Sequence, residues 1–297
     1  MSRVSVMQVE DRHAGVCGVL TALNHNPVNN KAVLIKPNFN TADPAPGSTH
    51  NDALVALVDQ LWAMGAASIS LGERSYPPTR QVMEQKRIVP LLEKRQVRVI
   101  DFDDLQPGDW VHCQPSGSHW PNGFRVARPI LEADCLVSTG CLKTHQFGGV
   151  FTLSLKLHVG VVPSFRNGFS YMQELHASAN QQEMIAEINA PFSPDLIVMD
   201  GIDAFVDGGP ATGKRVSGNM VWASTDRVAA DAVGVAMLKH LGSNRTIMES
   251  PIFEQRQIKR AVEIGLGVQS ASEIELVPAD DQSCGCVDAL DKLLSFG

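Results

Sequence analysis

The strongest constraint on this chain is a set of short, uninterrupted apolar runs spaced along it: Ala32-Val33-Leu34-Ile35, Cys135-Leu136-Val137 and Leu196-Ile197-Val198-Met199. Such runs fit strands buried on both faces, the hallmark of a parallel sheet covered by helices. The segments between them carry helical periodicity. Val16, Val19, Leu20 and Leu23 share one face of a helix expected from Asp11 to Leu23. A second helix is expected from Asn51 to Met64, with Gly65 where a helix stop belongs. Further strands are expected over Val4–Val9, Ser68–Leu71, Val97–Ile100, Asn219–Ser224 and Glu273–Val277. Further helices are expected near 79–95, with an interruption at Pro90, and over 148–160, 171–188, 227–241 and 253–264.

Strands alternating with helices predict an α/β fold: three layers, a mostly parallel sheet with helices on both faces, and a small antiparallel excursion within the Asp-, Pro- and Gly-rich residues 102–128. Residues 1–277 read as a single α/β domain, and 278–297 as a tail or small appended helix. With 297 residues there is enough chain to bury a large core. No apolar run reaches the roughly 20 residues of a membrane helix. The N-terminal residues lack the apolar core of a signal peptide, so a cytoplasmic location and no membrane partner are expected.

In an open α/β sheet, ligands bind beyond the carboxyl ends of the strands, so the residues just after each strand are the ones to inspect. They are Lys36-Pro37-Asn38, followed by Thr49-His50 at the next helix start; Gly72-Glu73-Arg74; Thr139 through His145; Asp200-Gly201; and Ser224-Thr225-Asp226. Each has an ordinary role: Thr49 as a helix cap, Glu73 and Asp226 as caps or surface charges, Lys36 as a solvated lysine at a turn. Their gathering along one edge is what points to a site.

Within that edge, Lys143-Thr144-His145 is the sharpest feature, expected in a loop spanning 139–146. A lysine supplies a compact positive charge for phosphate or carboxylate. A histidine two residues on can exchange a proton near neutral pH or ligate a metal. Lys156 and His158 repeat the spacing in the next apolar segment, where an ammonium needs a partner or a route to solvent. His176, on an expected amphipathic helix, is a weaker candidate.

The overall charge is −7, so an anionic ligand must be drawn by a local constellation against the general field. With 6% aromatic residues and scattered lysines and arginines, nothing points to nucleic acid. Gly208-Gly209-Pro210-Ala211-Thr212-Gly213-Lys214-Arg215 approximates a nucleotide-phosphate loop. Arg215 stands where the magnesium-binding hydroxyl belongs, however, Pro210 interrupts the loop, and a strand follows. Its glycines nonetheless offer backbone N–H groups to an anion. The six cysteines show neither a Cys-x-x-Cys pair nor a zinc spacing. Cys284-Gly285-Cys286 is too short for an ordinary zinc or ferredoxin half-site.

In its ordered motifs, the chain resembles the family catalogued as domain of unknown function 362, over about residues 32–238. The residues carrying the resemblance include Ile35-Lys36-Pro37-Asn38, Thr49-His50, Leu142-Lys143-Thr144-His145 and Leu155-Lys156 with Gly160-Val161-Val162-Pro163. His176, Asp200-Gly201-Ile202, Gly208-Gly209-Pro210 and Ser224-Thr225-Asp226 through Ala232 continue it. Many members of that family append a ferredoxin-like module with two four-cysteine motifs, which this sequence lacks. His158 departs from the family's usual asparagine.

The expected function is a metal- or cofactor-assisted enzyme acting on a small anionic metabolite. Lys143, His145 and Lys156 are its catalytic candidates. Lys36, Asn38, Thr49, His50, Gly208, Gly209 and Asp226 are ligand-binding candidates, and His145, His158, Asp200 and Glu73 are candidates for holding a divalent metal. The alternatives are an iron–sulfur or redox accessory protein using Cys141, Cys284 and Cys286, and a non-catalytic ligand-binding module. Association into homo-oligomers is compatible with all three.

Overall fold

A computed structural model describes residues 1–296 other than Asn167. Its strands are β1 (Ser2–Gln8), β2 (Ala32–Lys36), β3 (Ser68–Glu73), β4 (Val97–Asp101), β5 (Trp110–Cys113), β6 (Phe124–Ala127) and β7 (Cys135–His145). They continue with β8 (Val150–Thr152), β9 (Phe165–Arg166), β10 (Phe169–Ser170), β11 (Leu196–Gly208), β12 (Gly213–Ser217), β13 (Met220–Ser224) and β14 (Ile274–Pro278).

The central sheet runs β14-β1-β13-β11-β7-β2-β3-β4, with β12 added to β11 and β8 to β7. Along the eight-strand path the neighbours are parallel except at β13, which runs antiparallel to both β1 and β11, and the added strands β12 and β8 pair antiparallel as well. The small antiparallel excursion is the pair β5–β6.

Alternation along the strands divides the core between the two faces, because successive side chains point to opposite sides. Val33 and Ile35 of β2, with Cys135 and Val137 of β7, pack beneath the helices Arg12–Leu23 and Asn51–Ala63. Leu34 and Leu136 turn the other way, onto a cluster with Trp120, Phe124, Leu175 and Ile185. The helix Arg227–His240 covers the β1, β11 and β13 end of that second face and is buried along almost its whole length. Val287, Leu290 and Leu294 of the last helix, Cys284–Phe296, join the same core.

Three segments differ from the sequence expectation. β7 does not stop at Ser138 but runs eleven residues to His145, all of them buried, so Lys143-Thr144-His145 is strand and not loop. Its outer half is held by pairing with β8, Lys143 opposite Thr152 and His145 opposite Val150, and by β11, Leu142 opposite Ala204. Residues 148–160, expected as one helix, instead form β8, a single turn Ser154–Leu157 and a 3-10 turn His158–Val161. The helix expected over 171–188 is two helices, Tyr171–Ala177 and Gln181–Glu187.

Candidate functional site

The extended half of β7, the turn after β8 and the loop after β2 enclose a cavity of about 880 Å³ at the carboxyl edge of the parallel strands. Its walls include Asn38, Asn40, Glu73, Arg74, Lys143, His145, Thr152, Lys156, Met172, His176, Gln181 and Pro210.

Lysines and the charges that surround them dominate this edge. Lys36, at the end of β2, lies beneath the cavity and is 1% exposed. Its Nζ donates to Glu73 Oε1 at 2.5 Å and to the Pro37 carbonyl at 2.7 Å. Glu73 is held on all sides, accepting also from the Phe39 and Arg74 N–H groups. Burial works against the charged form of both partners, and their mutual attraction opposes that effect.

Lys143 is equally buried but has no carboxylate. Its Nζ donates to Asn38 Oδ1 at 2.7 Å and to the Gly47 carbonyl at 2.5 Å. Burial pushes it down to about 8. Asn38 is itself fixed by its N–H to Thr49 Oγ1, which places Thr49 behind the cavity wall as a brace for the loop.

Lys156 has neither arrangement. It is 8% exposed and lines the cavity, and its Nζ makes no hydrogen bond or ion pair with any other described residue. Burial, and then the neighbouring Lys143, push it down to about 7. The turn that carries it is held from below. Asp231, fully buried on the helix Arg227–His240, accepts from the Ser154 and Leu155 N–H groups at 2.7 and 3.2 Å. Burial pushes that carboxyl up to about 8, against the pull of those two bonds. Asn189 Nδ2 donates to the Leu155 carbonyl. Gly149 makes room for the lysine stem, since a Cβ there would come within 2.4 Å of Lys156 Cε and 3.2 Å of His145 Nδ1.

Several polar groups on the cavity wall lack partners. His145 Nδ1, Thr152 Oγ1 and Gln181 Nε2 are buried without a hydrogen bond among the described residues. Groups of this kind cost free energy unless a ligand or water meets them. Burial, Lys156 and Lys143 together hold His145 far below the usual histidine range, so the ring stays neutral. Opposite His145 in the hairpin, Val150 has φ of 60°, a costly conformation for a β-branched residue.

Other candidates lie elsewhere or are already engaged. Asp226 is at the far edge: β13 runs antiparallel to β1 and β11, so its carboxyl end faces away from the cavity. There Asp226 caps the helix Arg227–His240 and accepts from the Val268 N–H. His50 caps the helix Asn51–Ala63 through Nδ1 and is not part of the cavity wall. The Gly208 and Gly209 N–H groups are not free for an anion, because they donate to Asp207 Oδ1 and the Thr212 carbonyl. Gly209 has a packing role instead: a Cβ would lie 2.0 Å from the Thr144 carbonyl, and it brings Pro210 to the cavity wall.

The four candidate metal ligands do not converge. His158 is held by Ser138 Oγ and Asn189 Oδ1, Asp200 by Arg12, and Glu73 by Lys36, which leaves His145 alone. Cys141 is buried in β7, Cys284 is exposed, and Cys286 packs against Met220, so the three cysteines form no cluster. Among the described residues, no group of three or more His, Cys, Asp or Glu is placed to hold a metal ion.

Arg74, Thr152 and Gln181 do not stand out as site residues in the sequence. Arg74 is visible there only as part of the Gly72-Glu73-Arg74 strand end. It lines the cavity with its guanidinium tied to the Val159 and Val162 carbonyls. Thr152 and Gln181 arrive from β8 and a separate helix, which no local pattern links to β7.

Fold and cavity together define an α/β protein with a lysine-rich pocket at its strand ends. The chain belongs to the family described as a domain of unknown function, DUF362, whose model matches residues 33–236. It is 27% identical over 203 residues to a thylakoid-associated protein of Synechocystis sp., across 68% of this chain and 61% of that one. Its fold is similar to that of the lactate racemase apoprotein from Thermoanaerobacterium thermosaccharolyticum, with a TM-score of 0.50 and 17% identity, covering 78% of this chain and 57% of that chain. The chain thus spans about three-fifths of the length of each. No helix among the described residues is long and apolar enough to cross a membrane.

Proposed function

We propose that this protein is an enzyme that binds a small carboxylate- or phosphate-bearing molecule in the cavity at the end of β7. Lys143 supplies the anchoring charge and Lys156 the reactive amine. The observation that carries the reading is the state of Lys156: an amine inside a cavity with no partner of its own. A lysine is seldom left so unless a ligand completes its surroundings.

The division of labour follows from protonation. With Lys143 near 8, most of it is charged at neutral pH and favours an anion. With Lys156 near 7, about half is free amine, which suits a general base or a nucleophile. A ring held neutral, as at His145, is a poor base but a good hydrogen-bond partner through Nδ1 or Nε2. The base role therefore passes from the histidine to the lysine. Among the described residues no group of three or more His, Cys, Asp or Glu is placed to hold a metal ion. The protein of similar fold is a lactate racemase, which makes a small hydroxy acid a first compound to try.

The test is calorimetric titration of phosphate, lactate and other small carboxylates into the wild-type protein and into Lys143→Met and Lys156→Met. The expected result is competitive binding of at least one anion, with Kd raised tenfold or more in Lys143→Met while both variants keep cooperative melts. Equal affinity in all three proteins would remove the cavity from consideration. Proton exchange at the carbon beside the carboxylate, followed by NMR in deuterated water, separates an enzyme from a binding module. Exchange is expected to vanish in Lys156→Met.

A further inference from the structure

The three lysines of this edge differ in what their nitrogens are free to do. Lys36 is locked to Glu73. Lys143 spends two of its three N–H donors on Asn38 and Gly47, so its nitrogen is oriented and remains a charge. Lys156 alone has an uncommitted nitrogen, in a cavity whose wall also carries the unmet His145 Nδ1, Thr152 Oγ1 and Gln181 Nε2. A lysine amine that is mostly buried, unbonded and next to another cation is made nucleophilic toward carbonyl carbon.

We propose that the ε-amino group of Lys156 forms an imine with the carbonyl of a small oxo acid whose carboxylate rests against Lys143. This deepens the anion-site reading and depends on it. The nitrogen lone pair attacks the carbonyl carbon, giving a carbinolamine. The former carbonyl oxygen takes up protons and leaves as water as the C=N bond forms. The net exchange is one carbonyl and one primary amine for one imine and one water, with no oxidant or reductant. Thr152 Oγ1 and Gln181 Nε2 can each donate a hydrogen bond to the departing oxygen. The two protons of the amine pass to that oxygen, and His145, held neutral, can accept a hydrogen bond from the nitrogen through its unmet Nδ1. Protonation of the imine nitrogen then makes the substrate carbon an electron acceptor, so that a proton or carboxyl group on the neighbouring carbon can leave with its electrons flowing toward nitrogen.

The experiment is reductive trapping on the full chain. Wild-type protein is incubated with pyruvate or acetoacetate, sodium borohydride is added to deliver hydride to any imine, and the modified residue is located by peptide mass spectrometry. Binding of the same two acids is measured in parallel by calorimetry without reductant. The expected result is one adduct per chain, on Lys156, blocked by excess phosphate and formed at least tenfold more slowly in Lys143→Met. Its rate is expected to rise with pH through about 7 as the amine loses its proton. If the acids bind in the cavity and no adduct appears, or if exposed lysines such as Lys259 are labelled to the same extent, the imine is ruled out and the anion site stands. If no anion binds at all, both are ruled out. The decisive labelling is on wild-type protein, so it does not depend on how any variant folds.

Discussion

Two corners of one sheet edge treat a buried lysine in opposite ways. At the end of β2, Lys36 meets a carboxylate that is itself tied to two backbone N–H groups, and every charge is answered. Across the edge, on the turn after β8, Lys156 is nearly as buried and nothing answers it. The first corner is built for rigidity. The second carries an unfavourable group that the fold tolerates only because Asp231 and Asn189 hold its backbone so firmly. The difference shows that burial of a charge does not by itself mark a site. What marks one is a buried charge whose missing partner would have to come from outside.

That contrast can be broken most severely at Glu73. Glu73→Ala strands the Lys36 ammonium and two N–H groups, and a loss of about 3–5 kcal/mol is expected on denaturant unfolding. A loss under about 1 kcal/mol would mean that Lys36 can reach water or shed its proton freely. Next is Asp231→Ala, which deprives Ser154 and Leu155 of their acceptor. About 1–3 kcal/mol should be lost, and because Lys156 is then poorly placed, anion binding should weaken as well. Retained affinity would separate the support from the site.

The third prediction concerns pH. Lys156 sits near 7 in the folded chain and near 10.5 when unfolded, so unfolding between those values takes up a proton. Wild-type stability should therefore climb with pH across that window relative to Lys156→Met, by at most about 1.4 kcal/mol per pH unit. Below pH 7 the gap should stay constant, with the variant the more stable protein. Parallel curves for the two proteins from pH 7 to 10 would contradict the burial of a free amine. The smallest effect is expected at Asp226→Ala, on the opposite edge. Losing a helix cap there should cost about 1 kcal/mol and leave anion binding untouched.

The fold was largely legible because parallel strands covered on both faces must be apolar throughout, and Ala32–Ile35 and Leu196–Met199 are. What local pattern could not give was direction and extent. The run Met220–Ser224 reads like the others, yet its partners make it antiparallel, which carries Asp226 to the wrong end. Lys143 and His145 looked like loop because polar residues seldom lie deep in a strand. Only pairing with β8 and β11 extends β7 around them. The lysines themselves stood out by their position after strands. Glu73 did so as well, but its role as a partner to Lys36 depends on β2 and β3 lying side by side. The unsatisfied Thr152 and Gln181 had no signal in sequence, since their burial is decided entirely by tertiary packing.

Because Lys143 and His145 stand on a paired strand, their separation is fixed as if by a gauge. Two residues of extended chain advance roughly 6.8 Å, and no local hinge between them can alter that distance. Side chains two apart on a strand also share one face, so both are presented to the same cavity from a fixed base. One residue inserted before Lys143 would turn both side chains to the other face of the sheet and erase the gauge altogether, whereas many single substitutions around the cavity would only change what fills it.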